Sequence, residues 1–132
     1  MEKKYELTAE TRIVNGHTLH RIRAVKDFAD VTQGEDGGWV ENESNLSHVG
    51  ECWISDDAVV YGNATVYGHA VVCGDATVFG NAGVYGHATV GGSAKVYGHA
   101  RVGENATVFG HAGVCGHTRV YGNARVGGDA RI

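Results

Sequence analysis

Three like pairs in this 132-residue chain stand eighteen residues apart: His69 with His87, His99 with His117, and Arg101 with Arg119. Paired imidazoles can share a metal ion or pass a proton. Paired guanidinium groups can grip a phosphate or carboxylate through parallel hydrogen bonds. The same interval links Tyr61, Phe79 and Tyr97, and it links Tyr67 with Tyr85. Chemistry at this spacing requires a chain that returns to the same side of the molecule every eighteen residues.

Residues 58–129 supply such a chain. One six-residue unit, Ala-x-Val-(Tyr/Phe/Gly/Cys)-Gly-(Asn/His/Asp/Ser), runs twelve times without insertion or deletion. Val holds the third position throughout, Ala yields once to Thr118, and Gly yields once to Glu104. Helix is excluded, because glycine in a helix interior costs about 1 kcal/mol relative to Ala and a period of six keeps no stripe of a 3.6-residue helix apolar. As a short strand, each unit puts Ala and Val on one side and its second and fourth residues on the other. Gly with Asn, Asp or His then turns the corner, since these residues tolerate left-handed backbone. Three strands and three corners close a triangular coil of eighteen residues that buries its apolar side against its own copies. Four coils result, extended by Cys52-Trp53-Ile54 before them and Ala130-Arg131-Ile132 after them.

The pattern resembles the hexapeptide repeat of the left-handed parallel β-helix of acyltransferases and γ-class carbonic anhydrases, most closely in Val102-Gly103-Glu104-Asn105-Ala106. The resemblance implies left-handed crossovers, against the usual rule for parallel strands. It also implies a trimer. The preceding runs Val25-Lys26-Asp27-Phe28-Ala29-Asp30-Val31, Gly37-Gly38-Trp39-Val40, Asn45-Leu46-Ser47 and Cys52-Trp53-Ile54 resemble the leader of the YdcK-type hexapeptide-repeat proteins of bacteria and prophages. That group is described as transferases on the strength of the repeat, and a shared fold does not establish a shared activity.

The expected architecture is therefore all-β, one structural domain: residues 1–51 form a β-hairpin and connecting cap, and residues 52–132 form the left-handed parallel β-helix. Asn15-Gly16 between Thr11-Arg12-Ile13-Val14 and His17-Thr18-Leu19-His20 is the turn of the hairpin, expected to lie across the N-terminal end of the prism. Residues 27–45 are expected as an irregular connection, with Trp39 and Trp53 packing beside it. No apolar run approaches the ~18 residues of a membrane span, and the Met1-to-Glu6 start lacks the apolar stretch of a signal peptide. Cys52, Cys73 and Cys115 form neither an even framework nor a close-spaced metal motif, so reduced thiols in a cytoplasmic protein are expected. The net charge of -4 conceals an asymmetry: residues 94–132 carry five Lys or Arg against two Asp or Glu, whereas residues 52–93 carry three acids and no Lys or Arg. Those five basic residues spread over three faces, which excludes a nucleic-acid stripe.

Stacking the units three apart puts the corner residues in columns: Asn63, Asn81, His99, His117; His69, His87, Asn105, Asn123; and Asp57, Asp75, Ser93, His111, Asp129. Their expected role is turn formation, with amide ladders along the axis. A metal site of the γ-carbonic-anhydrase kind is the remote reading, since a pair of imidazoles is an incomplete set of ligands. Fourth positions add Tyr61, Phe79, Tyr97 and Cys115 on one side and Tyr67, Tyr85, Gly103 and Tyr121 on another, two aromatic faces expected to make a homo-oligomer contact. Arg101 and Arg119, beside Tyr121, are the expected anion site. Two functions of different classes follow. The favoured one is a non-catalytic oligomeric scaffold, or a module binding an anionic, phosphate-bearing small molecule at clefts between subunits, with no cofactor. The alternative is an acyltransferase using CoA or acyl-CoA, with His87, His99 or His117 as general base. The repeat runs to Ile132 in mid-unit, so end-to-end stacking there is a second expected contact.

Overall fold

The computed structural model describes residues 3–132. Eleven fifth-position glycines, from Gly62 to Gly128, take φ of 63 to 71°, and Glu104 occupies the twelfth such place at 54°. No sixth-position residue shares this conformation. The fourth-residue carbonyl accepts from the N–H that opens the next unit, as from Ala106 to Gly103 at 3.1 Å. Positive φ confined to the first central residue is the pattern of a type II′ turn. The backbone thus demands glycine at the fifth position and leaves the sixth free to carry Asn, His, Asp or Ser.

Between corners lie two-residue strands in three parallel walls. The first wall runs β3 (Asp36–Val40), β5 (Val59–Val60), β8 (Thr77–Val78), β11 (Lys95–Val96) and β14 (Gly113–Val114). The second runs β4 (Trp53–Ile54), β7 (Val71–Val72), β10 (Thr89–Val90), β13 (Thr107–Val108) and β16 (Arg125–Val126). The third runs β6 (Thr65–Val66), β9 (Gly83–Val84), β12 (Arg101–Val102) and β15 (Arg119–Val120). Each valine pairs with the valine eighteen residues on, as Val60 with Val78 and Val102 with Val120. Between the walls, Val60 to Val114 at third positions are fully buried and Ala58 to Ala112 are at most 1% exposed. The result is an all-β parallel solenoid of about five turns.

The N-terminal region departs from expectation in two ways. Parallel stacking begins at β3, which pairs Trp39 with Val59 and Val40 with Val60 inside what was expected as irregular connection. Gly37 and Gly38 make this entry feasible, because a Cβ on either would lie within 2.7 Å of Ile54 and its neighbours. Second, the hairpin of β1 (Tyr5–Val14) and β2 (His17–Ala24) does not simply lie across the end. It continues the first wall, in the order β1-β2-β3-β5, and so covers the edge of that sheet. Ile22 and Ala24 of β2 join the main core with Tyr5 and Trp53. Leu19, from the opposite face of β2, packs outside the first wall against Trp39, Val59 and Tyr61. The two tryptophans are therefore buried in separate clusters, and neither indole N–H has an acceptor among the described residues.

Side-chain donors satisfy the carbonyls at this end. The buried Lys4 ammonium donates to Cys52 O at 2.7 Å and Gly50 O at 3.2 Å, and lies over the Phe28 ring. The Tyr5 hydroxyl donates to Glu43 O and Leu46 O. Asn45, fully buried, donates to Gly62 O and Ala64 O while its own oxygen accepts from Glu41 N and Asn42 N. At the other end, Val126 is half-buried and Ala124 exposed.

Candidate functional site

The eighteen-residue interval does bring like residues together. The His69 and His87 rings stack at 4.9 Å and 8°, and those of His99 and His117 at 4.8 Å and 4°. Imidazole lone pairs lie in the ring plane, so stacked rings point their nitrogens side by side rather than at a shared centre. Two nitrogens on one zinc ion can be no more than about 4.2 Å apart, given bonds near 2.1 Å. Among the described residues no group of three or more His, Cys, Asp or Glu is gathered closely enough to hold a metal. His69 also faces Glu51, Nδ1 to Oε1 at 3.4 Å, with both side chains about half exposed. This contact is not legible in the sequence, since Glu51 precedes the regular units.

The aromatic columns behave differently from each other. Tyr61, Phe79 and Tyr97 stack at 5.3 and 5.0 Å, but the hairpin claims the first ring. Tyr61 is 3% exposed, accepts from the Asn15 amide at 3.0 Å, and sits 4.7 Å from His17. The hairpin thus buries Tyr61 in intrachain contacts. Tyr67 and Tyr85 stack at 5.5 Å, and Tyr67 remains 37% exposed. The Tyr85 ring lies flat over Gly103, where a Cβ would be 2.2 Å from it, so Tyr121 stands apart at 60% exposed.

Arg101 and Arg119 are register partners on the third wall, both exposed. Neither borders the groove of about 390 Å³ on the first wall, which is lined by Lys95, Arg131, Ser93, His111, Tyr97 and Cys115 around Gly113. A hydrogen bond with Cys115 holds the Tyr97 phenol above its ordinary range, opposed by the nearby Arg131. The Lys and Arg ion pairs of the described residues occupy the N-terminal part: Lys3–Glu43, Arg21–Glu10, Arg21–Asp57 and Arg23–Asp36. Lys95, Arg101, Arg119, Arg125 and Arg131 have no carboxylate partner among the described residues. No helix among them is long and apolar enough to cross a membrane.

Fold and columns together define a hexapeptide-repeat β-solenoid protein with a cationic C-terminal half. The family model described as the YdcK β-solenoid repeat matches residues 54–68 and 58–74, so this part of the chain is similar to that repeat. The chain is also similar to the Escherichia coli (strain K12) protein named "Uncharacterized acetyltransferase YdcK", with 36% identity over 76 residues. That alignment covers 51% of this chain and 23% of the relative, so the chain spans about a quarter of that protein's length.

Proposed function

We propose that this protein is an oligomeric β-solenoid module that binds an anionic, phosphate-bearing small molecule on its C-terminal coils, without catalysing its conversion. The observation that carries the reading is the unneutralised charge: five cations lack carboxylate partners there, while Lys3, Arg21 and Arg23 near the N-terminus are paired. Exposed like charges about one coil apart repel, and an anion between them turns that repulsion into charge-assisted hydrogen bonds. Arg101 with Arg119 on the third wall offers this, and Lys95 with Arg131 on the first offers a wider seat, the two standing two coils apart across Gly113. The exposed Tyr67, stacked on the half-buried Tyr85, supplies a self-association face that would place either wall beside a neighbouring subunit.

Native mass spectrometry of freshly purified protein, joined to calorimetric titration with CoA and simple nucleotides, tests the reading. Retained or titratable phosphate-bearing ligand, weakening with salt, is the expected result. Absence of heat with every such ligand at low salt would overturn it.

Acyl transfer is the second reading, favoured by the name of the relative and by the Glu51–His69 contact, a base oriented by a carboxylate. Turnover of acetyl-CoA that is lost in His69→Ala would replace the first reading with this one.

A further inference from the structure

The second-position residues of the first wall read Val59, Thr77, Lys95, Gly113, Arg131 down the axis. Gly113 needs explaining. Its φ is not positive, so the backbone does not require glycine. A Cβ built there would meet only the Cγ of Arg131, at 3.9 Å, an ordinary contact, so packing does not forbid a side chain either. Gly103 and Gly127 differ, because aromatic rings fill the space above them at 2.2 Å. What the missing side chain at Gly113 creates is the floor of the groove, one coil from Lys95 on one side and one coil from Arg131 on the other.

The neighbouring corner column supports a ligand of defined charge. It reads Asp57, Asp75, Ser93, His111, Asp129, and the two positions that are not acidic are the two that line the groove. Acids occupy the corner on the coils before and after, and hydroxyl and imidazole replace them beside the notch. No Asp or Glu among the described residues lines the groove. Gly83, the corresponding glycine on the third wall, is flanked by one cation only, with Thr65 on its other side.

We propose that the Gly113 notch is a binding site for a phosphate monoester, its phosphoryl group seated between Lys95 and Arg131 with Ser93 and His111 as further hydrogen-bonding partners. The proposal rests on the anion-binding reading above and names the seat and the ligand class. Two permanent positive charges match the charge of about -1.5 to -2 that a monoester carries at neutral pH, better than a carboxylate's single charge. Coils repeat at about 4.8 Å, so Lys95 and Arg131 stand about two repeats apart, room for one phosphoryl group over glycine. Tyr97 offers a ring beside the notch for the body of the ester.

The test is a proton–nitrogen NMR titration of the full chain with inorganic phosphate, phenyl phosphate and, as a monoanion control, acetate. Saturable shifts centred on the Gly113 amide are expected with both phosphates, and weaker ones with acetate. Lys95→Ala and Arg131→Ala should each weaken phosphate binding by about tenfold or more, the loss of one charge-assisted contact. Gly113→Thr places in the notch the residue found at the same position in Thr77 and Thr107, so it should melt like the parent and lose binding. Phosphate binding that survives Gly113→Thr or both cation variants, and is lost in Arg119→Ala, would overturn this proposal while leaving anion binding in place. If Gly113→Thr does not fold, the two cation variants decide alone. Absence of any anion binding by the parent chain would remove both the proposal and the reading beneath it.

Discussion

At the residue scale, Glu104 is the exception that measures the rule. It adopts a φ of 54° where every other unit has glycine. Left-handed backbone costs a non-glycine L-residue roughly 1 to 2 kcal/mol, and glycine gives back part of that through unfolded-chain entropy. Glu104→Gly should therefore stabilise the protein by about 0.5 to 1 kcal/mol, read as a raised melting temperature. The reverse change is harsher. Gly86 lies directly against Glu104, and a Cβ there would be 2.6 Å from the Glu104 nitrogen, so Gly86→Ala should destabilise by more than the conformational term alone. Among inward positions, Val84→Asp or Val90→Asp should abolish folding, because both sites are fully buried with no polar partner for a carboxylate. Thr89→Ala, on the outer surface of the second wall, should cost under about 0.5 kcal/mol. Melts that ranked these the other way would invert the inside and outside of the prism.

At the scale of elements, the walls and the hairpin with its Asn15-Gly16 turn were legible in the sequence, and the contacts that fasten the cap were not. Ala58 and Val60 declare their direction because eleven later units repeat it, and the three-wall register follows from a strict period of six. Lys4, Tyr5 and Asn45 have no copies, and their partners lie far away in the chain: Lys4 reaches Cys52, and Tyr5 reaches Leu46. The same limit hid the groove, since Gly113 looks like any second-position glycine until its neighbours on adjacent coils are placed. An identical pair such as Arg101 and Arg119 is conspicuous in a repeat, whereas Lys95 and Arg131 are two coils apart and differ in type. For the cap, Tyr5→Phe removes the donor to two carbonyls and should destabilise by about 1 to 3 kcal/mol. Acid should act on the same region. The hydrogen bond from His17, with a second from Gly62 N–H, holds Glu41 below the ordinary glutamate value; His48, then Lys3, does so for Glu43. A carboxylate lowered on folding contributes stability above its unfolded value and loses it as pH falls through the folded one. Hydrogen exchange should therefore show β1 and β2 losing protection below about pH 4 before the valine core does, and Glu41→Gln with Glu43→Gln should flatten that response.

For the whole molecule, the question is how a thin core of alanine and valine is completed. The solenoid encloses only a column of alanines and a column of valines per wall, and several large apolar side chains lie on the outside. The hairpin covers part of it by enclosing Tyr61, Trp39 and Val59. Tyr67, stacked on Tyr85, is still 37% exposed, and Phe109 and Tyr121 are 42% and 60% exposed. Large rings left exposed on an outer face are candidates for a contact surface. A closed ring of three prisms, each setting its Tyr67–Tyr85 face against a different face of the next, would bury Tyr67 in a heterologous contact that terminates by symmetry. It also brings the cationic walls beside a neighbour. Light scattering at low micromolar concentration should report about three times the mass of one chain. Tyr67→Ser combined with Tyr85→Ser should reduce it to one while circular dichroism stays unchanged, because both side chains point away from the valine core. A parent protein already at the mass of a single chain, with the same circular dichroism, would show that the solenoid and its hairpin are sufficient alone and that the exposed rings serve something other than self-association.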